Sequence, residues 1–264
     1  MKPGIHTEGK SVMEQPVNRT EKELGYAEQI EKHFNESCGT FTEKMQSFPR
    51  FVSRQQQAIY LYKWELFQKI VDVQGSILEF GVYMGSGAFS FLSFSSILEP
   101  YNYQRKIIGF DTFEGFPGYT DADLTTAEAD PSITTEGFKV AGGLYNDLQE
   151  CAAIQDQNRP IGHIQKLELV KGDITHSLPK FLEENPHTLI SLLYLDMDLY
   201  EPTKLALELL YDRVVPGGIV AFDEINNPAW PGETKAYLEF FNGQHGRLQK
   251  CSFEPLRSYF VKGE

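Results

Sequence analysis

The feature that most constrains the fold is a regular alternation of apolar, strand-like runs and helical stretches that begins at Ser76. Strands are predicted at 76–82 (SILEFGV), 106–112 (KIIGFDT), 166–172 (KLELVKG), 189–198 (LISLLYLDMD) and 218–225 (GIVAFDEI), with two more near 248–253 and 257–262. Helices are predicted between most of them, at 86–98, 176–185, 202–212 and 232–242. This alternation is typical of an α/β fold, with a mainly parallel sheet and helices on both faces. We expect the last two strands to form an antiparallel edge.

The rest of the chain departs from this rhythm. Residues 1–20 are polar and contain Pro and Gly, so we expect a flexible tail. Amphipathic patterns predict helices at 21–37 and 52–73, which form an N-terminal helical cap over 21–74 ahead of a main domain at 75–264. The stretch at about 115–150 is acidic, rich in turn residues and long for a loop, and we interpret it as a lid insertion.

Charge and composition exclude several classes of function. The net charge of −13 argues against nucleic-acid binding, which needs a basic face. No run approaches the roughly 20 apolar residues that cross a bilayer, and the N-terminus lacks the apolar core of a secretory signal. Cys38, Cys151 and Cys251 are far apart and form no disulfide framework. We therefore expect a soluble, cytoplasmic protein whose partner is a small molecule.

A glycine loop follows the first predicted strand, in LEFGVYMGSGAFS. The strand delivers Glu79, and Gly81 and Gly85 let the backbone approach a ligand. The spacing differs from the G-x-G-x-x-G of dinucleotide folds, which argues against an NAD-dependent oxidoreductase. An acid at the strand end suits a ligand with an ammonium group and a sulfonium, and opposes a pyrophosphate. The alternative is a simple strand–helix turn.

Acids also end the second and third predicted strands. Asp111 is placed to accept both hydroxyls of a ribose, and Asp173, after Gly172, to accept an adenine amino group. For both aspartates the alternative is a turn or helix N-cap role. Ligands of open α/β sheets lie outside the carboxyl ends of the strands. Together with Glu79, these acids fit an adenosine with an amino-acid tail, which is S-adenosylmethionine.

Carboxylates are concentrated after the next two strands. Asp196 and Asp198 end the fourth strand, and Asp223 and Glu224 end the fifth. Two unit charges about 4 Å apart repel by roughly 4 kcal/mol at an effective dielectric near 20, so carboxylates gathered here need protonation or a cation. A few oxygen ligands favour Mg²⁺ or another divalent cation. The alternative is that Asp198 faces away and Glu224 caps a helix.

Over about residues 75–242 the chain resembles the macrocin O-methyltransferase family of class I S-adenosylmethionine-dependent methyltransferases. The motifs that carry the resemblance are LEFGVYMGSGAFS, IIGFDTFEGFP, GDITHSLP, YLDMDLYEPT, LYDRVVPGGIVAFDE and AWPGETKA. The first also resembles that of catechol O-methyltransferase. The resemblance implies a Rossmann-like sheet of seven mostly parallel strands with an antiparallel last strand. It also implies Mg²⁺-dependent methylation of a sugar hydroxyl in natural product biosynthesis.

The predicted site residues fall into three roles. The cofactor residues are Glu79, Gly81, Tyr83, Gly85, Ser86, Asp111, Gly172 and Asp173. The resemblance implies metal ligands at Asp196, Asp223 and Glu224, although Glu224 departs from the aspartate expected in the macrolide enzymes. Leu199 stands where the catechol enzyme has its catalytic lysine, so the base is predicted to be Asp198, with Asp196 as the other candidate. Which of these two is base and which is ligand stays open.

Other interpretations remain open. A catechol or phenol O-methyltransferase of the same fold would use the same residues, and a cofactor-binding module without catalysis would act through partners. We expect the N-terminal helices and the 115–150 insertion to choose the acceptor. Trp230 either walls the acceptor pocket or packs in the core. The aromatic N-terminal helices favour a homo-oligomer.

Overall fold

A computed structural model describes residues 20, 23, 25–140, 142–244 and 246–264. By its internal contacts the chain divides into two compact units, Met1–Ile59 and Tyr60–Glu264. The predicted tail lies outside the described residues, apart from Thr20. In the part of the chain that is described, none of the helices is both long enough and apolar enough to cross a membrane.

The N-terminal unit is helical. Its elements are α1 (Tyr26–Glu36), α2 (Phe41–Gln46), a 3₁₀ turn (Phe48–Arg50) and the start of α3 (Arg54–Ile70). Sequence patterns predict α1 and α3 but not α2, which has only six residues. A capping box begins α2: the Thr40 hydroxyl accepts the Glu43 N–H at 3.3 Å, and the Glu43 carboxylate accepts the Thr40 N–H at 2.7 Å.

The larger unit is built on a seven-stranded sheet. Its strands are β1 (Ser76–Phe80), β2 (Ile107–Asp111), β3 (Leu167–Lys171), β4 (Ile190–Leu195), β5 (Val214–Phe222), β6 (Gln249–Cys251) and β7 (Glu254–Val261). Their order is β3-β2-β1-β4-β5-β7-β6. The first five strands are parallel to one another, and β7 runs antiparallel to both β5 and β6. This confirms the predicted fold class, including the antiparallel final strand.

Five further helices complete this unit: α4 (Ser86–Leu98), α5 (Leu144–Asp156), α6 (Ile174–Glu184), α7 (Tyr200–Leu210) and α8 (Pro231–Phe241). Four of them lie within two residues of their predicted bounds. The sequence pattern does not reveal α5, because only Leu144 and Leu148 are buried along its 13 residues. That apolar stripe is too sparse to produce a clear helical period.

The sheet separates two apolar clusters, because side chains alternate between its faces along each strand. Ile77 belongs to one cluster and its neighbour Leu78 to the other. The first cluster also takes side chains of α3, α4 and α5, and the second takes those of α6, α7 and α8. Helices on both faces therefore bury the central strands, and the carboxyl ends of those strands remain available for a site.

The predicted lid insertion is anchored to the main domain. It contains a 3₁₀ turn, Asp121–Leu124, in which Asp123 is buried. The Asp123 carboxylate accepts the backbone N–H of Tyr200 at 2.7 Å, at the start of α7. Gly232 lies beside it, and a Cβ at that position would overlap Asp123 Oδ1. The insertion thus rests on the helix that follows β4.

Candidate active site

The glycine loop between β1 and α4 lies directly against the end of β4. Gly81 and Gly85 both have a φ of 85°, a left-handed conformation that favours glycine. A Cβ on Gly81 would overlap the carbonyl oxygen of Asp196. The loop therefore approaches the predicted catalytic strand backbone to backbone.

Asp111, at the end of β2, organises this loop. One carboxylate oxygen accepts the Tyr83 N–H at 2.7 Å and the other accepts the Phe113 N–H at 2.6 Å. Burial raises the pKa of Asp111, and the hydrogen bonds from Tyr83 and Phe113 oppose that shift. The predicted ribose acceptor is thus already held by backbone donors on two loops.

A cavity of about 730 Å³, counting the space open to solvent, lies outside the ends of β1, β2 and β4. Four predicted cofactor residues line it: Gly81, Tyr83, Asp111 and Gly172. The rest of the wall is largely apolar, with side chains such as Phe80, Phe110, Phe113 and Met197. An apolar wall with a few polar groups fits an adenosine-containing ligand.

Asp173 has a second use in this structure. Its carboxylate accepts the backbone N–H and the hydroxyl of Thr175, each at 2.8 Å, and so caps α6. Asp173 therefore has the helix N-cap role, which was the alternative interpretation of its sequence position. Gly172, the residue before it, lines the cavity and Asp173 does not.

Glu79 is 1% exposed and forms an ion pair with Lys63 at 3.8 Å. A Cβ on Gly87 would overlap Glu79 Oε1, so the α4 backbone passes close to the carboxylate. Burial raises the pKa of Glu79 to about 7, although Lys63 opposes the shift. The Lys63 ammonium also lies 4.9 Å from the centre of the Tyr194 ring. Glu79 is thus tied to α3 behind the loop and is not among the cavity-lining residues.

An acidic cluster occupies the ends of β4 and β5, whose last residues, Leu195 and Phe222, are paired. Its members are Asp196, Asp198, Asp223, Glu224 and Glu233. Burial, and then the charge of Asp223, raises the pKa of Asp198 to about 7 and that of Glu224 to about 8. The same two causes hold the pKa of Asp196 well above its usual range. Burial is thus the first cause of the raised pKa values in this cluster, and repulsion between its acids adds to it.

Asp198 is in the left-handed backbone region, with a φ of 63°, which few non-glycine residues adopt and which Asp adopts more readily than most. Non-glycine residues with positive φ are often found at functional sites, where the surrounding structure holds them in place. The turn directs the chain from the end of β4 into α7. Asp130 of the insertion adds to the charges that raise the Asp198 pKa.

Asp223 is already paired. The Tyr194 hydroxyl donates to its Oδ1 at 3.0 Å, and Arg257 Nη2 donates to its Oδ2 at 2.8 Å. Arg257 Nε also forms an ion pair with Oδ1. Both groups are buried. Among the described residues only the Nη2 contact is a hydrogen bond, and Nε meets Oδ1 as a charge contact without hydrogen-bond geometry.

The predicted metal residues therefore do not form a divalent site in this arrangement. Within the described ranges, no three His, Cys, Asp or Glu side chains are placed to hold a metal ion together. Asp223, one of the three predicted ligands with Asp196 and Glu224, has both oxygens engaged by Tyr194 and Arg257. The described donor set does not fit Mg²⁺ while that pair is intact.

Sequence reasoning missed three charged residues of the site: Glu233, Arg257 and Lys63. Glu233 is fully buried, and its Oε2 accepts the Glu224 N–H at 2.8 Å. Its Oε1 has no hydrogen-bond partner among the described residues, and burial raises its pKa well above the usual range. An acid in the first turn of a helix is usually an exposed cap residue, so the sequence carried no signal for this one.

The insertion adds an aromatic wall next to the cluster. The rings of Phe116 and Phe138 lie 6.2 and 5.9 Å from that of Trp230, and 5.1 Å from each other. Ile133 and Leu199 pack in the same apolar group. Phe116, Phe138 and Leu199 also line the cavity, whereas Trp230 supports them from behind.

Known proteins resemble this chain in sequence and fold. The family model for macrocin O-methyltransferase matches residues 65–246. The crystal structure of the calicheamicin methyltransferase CalS11 shares 36% identity over 94% of this chain and 95% of that chain, with a TM-score of 0.89. An apo structure of CalS11, described as a TDP-rhamnose 3'-O-methyltransferase of calicheamicin biosynthesis, shares 32% identity over 94% and 97%, with a TM-score of 0.81.

The O-methyltransferase NovP has the same fold, with 17% identity over 78% of this chain and 80% of that chain and a TM-score of 0.56. No match was found among curated protein sequences.

Proposed function

Because the chain belongs to the macrocin O-methyltransferase family, we propose that it transfers a methyl group from S-adenosylmethionine to a sugar hydroxyl in natural product biosynthesis. The observation that carries this proposal is the likeness to CalS11 along almost the whole of both chains. That enzyme is described as methylating a TDP-linked rhamnose. The proposed acceptor class is accordingly a sugar attached to a larger group.

The cofactor would occupy the cavity at the ends of β1, β2 and β4. The Gly81 backbone, the carboxylate of Asp111 and the apolar walls of the cavity fit its adenosine and its amino-acid tail, with Gly85 in the same loop. Tyr83, Ser86 and Gly172 complete the proposed cofactor contacts, while Glu79 is paired with Lys63 behind the loop and Asp173 caps α6. When bound, S-adenosylmethionine supplies a methyl group on a positively charged sulfur.

Asp198 is proposed as the general base. A sugar hydroxyl is a poor nucleophile at neutral pH, so loss of its proton assists attack on the methyl group. A base works best when its pKa lies near the working pH, and that of Asp198 is raised to about 7. Asp196 is the second candidate for the base, because its backbone carbonyl is fixed against Gly81. The acceptor oxygen would lie between Asp198 and the end of the loop.

The residues predicted to bind a metal ion belong to the same acidic cluster as the proposed base. Asp196, Asp223 and Glu224 are the residues predicted to bind Mg²⁺, yet Asp223 is engaged by Arg257. The proton transfer proposed here is assigned to the carboxylates of the chain itself.

The aromatic wall supports a second candidate acceptor. Phe116 and Phe138 line the cavity together with Leu199, the residue after Asp198, and a phenol or catechol ring would stack on such an apolar surface. A sugar offers fewer apolar contacts and more hydroxyls. The likeness to CalS11 favours the sugar, and the rings would then contact the apolar part of its carrier.

The two acceptor classes are separated by a labelling experiment. The protein is incubated with methyl-labelled S-adenosylmethionine and two panels, one of nucleotide-linked and natural-product-linked sugars and one of catechols and phenols. We expect label in a sugar methoxy group, found by mass spectrometry, and none in the phenols. Label only in the phenols, or in neither panel with confirmed cofactor binding, overturns the sugar proposal.

We propose that residues 21–74 and the insertion at about 115–150 choose the acceptor, and that the N-terminal helices favour self-association. Light scattering after gel filtration measures the mass in solution. A monomer at all concentrations would remove the homo-oligomer from this proposal.

A further inference from the structure

The helix that follows the proposed base is capped by a residue from a distant part of the chain. α7 begins at Tyr200, and Leu199 before it has no side-chain oxygen that could accept a backbone N–H. The first N–H groups of a helix lack partners within the helix and need an acceptor from elsewhere. The Asp123 carboxylate, 77 positions earlier in the chain, accepts the Tyr200 N–H at 2.7 Å. The insertion at about 115–150 thus supplies the cap of α7.

Asp198 lies in the turn that leads into this capped helix. The turn is closed by the Leu199 N–H, which donates to the Met197 carbonyl at 2.6 Å, and Asp198 at its centre has a φ of 63°. Three-residue turns with a positive φ at the centre are rare and strained. Such a conformation persists only where the surrounding structure holds it. Tyr200 is two residues beyond Asp198, so fixing the Tyr200 N–H limits how far the turn can relax.

The two oxygens of Asp123 divide the contacts between the insertion and α7. Oδ2 accepts the Thr120 N–H at 2.7 Å and the Thr120 hydroxyl at 3.0 Å, both within the insertion, and Oδ1 accepts the Tyr200 N–H. The side chain is only 1% exposed. Burying a carboxylate is costly unless it is hydrogen-bonded, and here both oxygens are. Asp123 therefore joins the insertion to the start of α7 through a buried, well-defined contact.

The first turn of α8 packs directly against this contact. A Cβ at Gly232 would lie 2.2 Å from Asp123 Oδ1 and 2.6 Å from the backbone nitrogen of Tyr200. It would also lie 3.1 Å from the carbonyl oxygen of Asp198. Only a residue without a side chain allows so close an approach. The insertion, the turn that carries Asp198 and α8 therefore meet at one tightly packed point.

We propose that Asp123 is a positioning residue for methyl transfer: it caps α7 and thereby holds Asp198 where this side chain can take the proton of the acceptor hydroxyl. Asp123 acts through the backbone of Tyr200 and does not line the cofactor cavity. The insertion thus has a role in the geometry of the reaction as well as in enclosing the acceptor. This inference rests on the proposed function, which assigns Asp198 as the base.

The first test compares Asp123→Ala with the unaltered full-length protein in steady-state methylation assays. We expect kcat to fall by roughly 10–100-fold, because a displacement of about 1 Å at a reacting group can cost that much. The KM for the acceptor and the calorimetric Kd for S-adenosylmethionine should change little, because Asp123 does not line the cofactor cavity. A role in folding alone would not produce this separation of kcat from KM.

Thr120→Val is the matched control. It removes the hydroxyl that donates to Asp123 Oδ2 and accepts the Ala122 N–H, and so loosens the same 3₁₀ turn. It leaves the Asp123 carboxylate and its contact with Tyr200 in place. We expect a much smaller loss of kcat than in Asp123→Ala.

A second measurement needs no acceptor and covers the case in which Asp123→Ala does not fold. Hydrogen exchange of the Tyr200 amide is followed by NMR in the unaltered protein. The first amide of a helix usually exchanges rapidly because it has no partner within the helix. The contact with Asp123 predicts slow exchange instead, and faster exchange in a folded Asp123→Ala variant.

Three results overturn this role of Asp123. One is a folded Asp123→Ala variant with the kcat of the unaltered protein. Another is an equal loss of kcat in Asp123→Ala and Thr120→Val, which indicates a general loosening of the insertion. The third is a Tyr200 amide that exchanges at the unprotected rate in the unaltered protein. If every acceptor stays unmethylated while the Tyr200 amide is protected, the result counts against the proposed function and not against the cap.

Discussion

The cofactor side and the acidic side of this site treat their carboxylates in opposite ways. At the ends of β2 and β3, Asp111 and Asp173 accept hydrogen bonds from backbone N–H groups, and each also shapes a loop or caps a helix. At the ends of β4 and β5, burial and then the charge of neighbouring acids raise the pKa values of Asp198 and Glu224. The two carboxylates of the first side already have hydrogen-bond donors. The carboxylates of the second side are destabilised in their charged form, which favours binding of a proton or a cation.

We expect the largest loss of activity from a change among the carboxylates at the ends of β4 and β5. Asp198→Asn removes the proposed base, and we expect kcat to fall by about 10²–10⁴-fold, the usual contribution of general base catalysis. Cofactor affinity, measured by calorimetry, should not change. Asp121→Asn is a control within the exposed part of the insertion and should retain full activity. Full activity in Asp198→Asn would transfer the role to Asp196.

The pH profile tests the same carboxyl in the unaltered protein. The pKa of Asp198 is about 7 in the folded chain, and only its ionised form accepts a proton. Activity should therefore rise with pH up to about 7, falling by about tenfold per unit below that value. The sign for stability is opposite: the unfolded carboxyl ionises near 4, so the free energy of unfolding should decrease as pH rises from about 4 to 7. Activity that stays constant down to about pH 5 and falls only below it would contradict the raised pKa of Asp198.

Asp223→Ala should cost the most stability. It leaves the Arg257 guanidinium buried without its carboxylate, and removing one partner of a buried pair typically costs about 3–5 kcal/mol. Urea unfolding followed by circular dichroism measures the change. The double variant Asp223→Ala with Arg257→Gln should recover part of the loss, because the buried guanidinium is removed; the loss of its 3.5 Å ion pair with Glu254 limits the recovery. A double variant less stable than Asp223→Ala would show that the pair is not what stabilises this edge.

Asp111→Ala probes the satisfied side. It removes two hydrogen bonds that hold the glycine loop as well as the proposed ribose contact, each worth about 1.5–3 kcal/mol when one group is charged. We expect the Kd for S-adenosylmethionine to rise by about 10–100-fold, measured by calorimetry. An unchanged Kd would remove Asp111 from the cofactor site.

Asp173→Ala should have the smallest effect. Loss of an N-cap typically costs about 1 kcal/mol of stability, visible in urea unfolding. Asp173→Asn, which keeps an acceptor oxygen, serves as the matched control. A large loss of cofactor affinity without loss of stability would show that the carboxylate contacts adenine, and would weaken the contrast between the two sides.

Much of this architecture is readable in the sequence because the buried strands are continuous apolar runs. The run SILEF and the apolar part of LISLLYL mark β1 and β4, and the acids after them mark the site edge. The sequence does not reveal Arg257, because its partner is set by the register of an antiparallel pair formed late in the chain. Glu233 and α5 are missed for similar reasons: their burial depends on neighbours that are distant in sequence.

The close contact between the glycine loop and the end of β4 fixes the distance between these two parts of the site. Gly81 touches the Asp196 carbonyl with no side chain between them. The distance between them is therefore set by two main chains in van der Waals contact, and no side-chain rotamer can adjust it. Any residue larger than glycine at position 81 would push the glycine loop away from the end of β4. The distance from the proposed methyl donor to the proposed base is thus determined by the spacing of the strands.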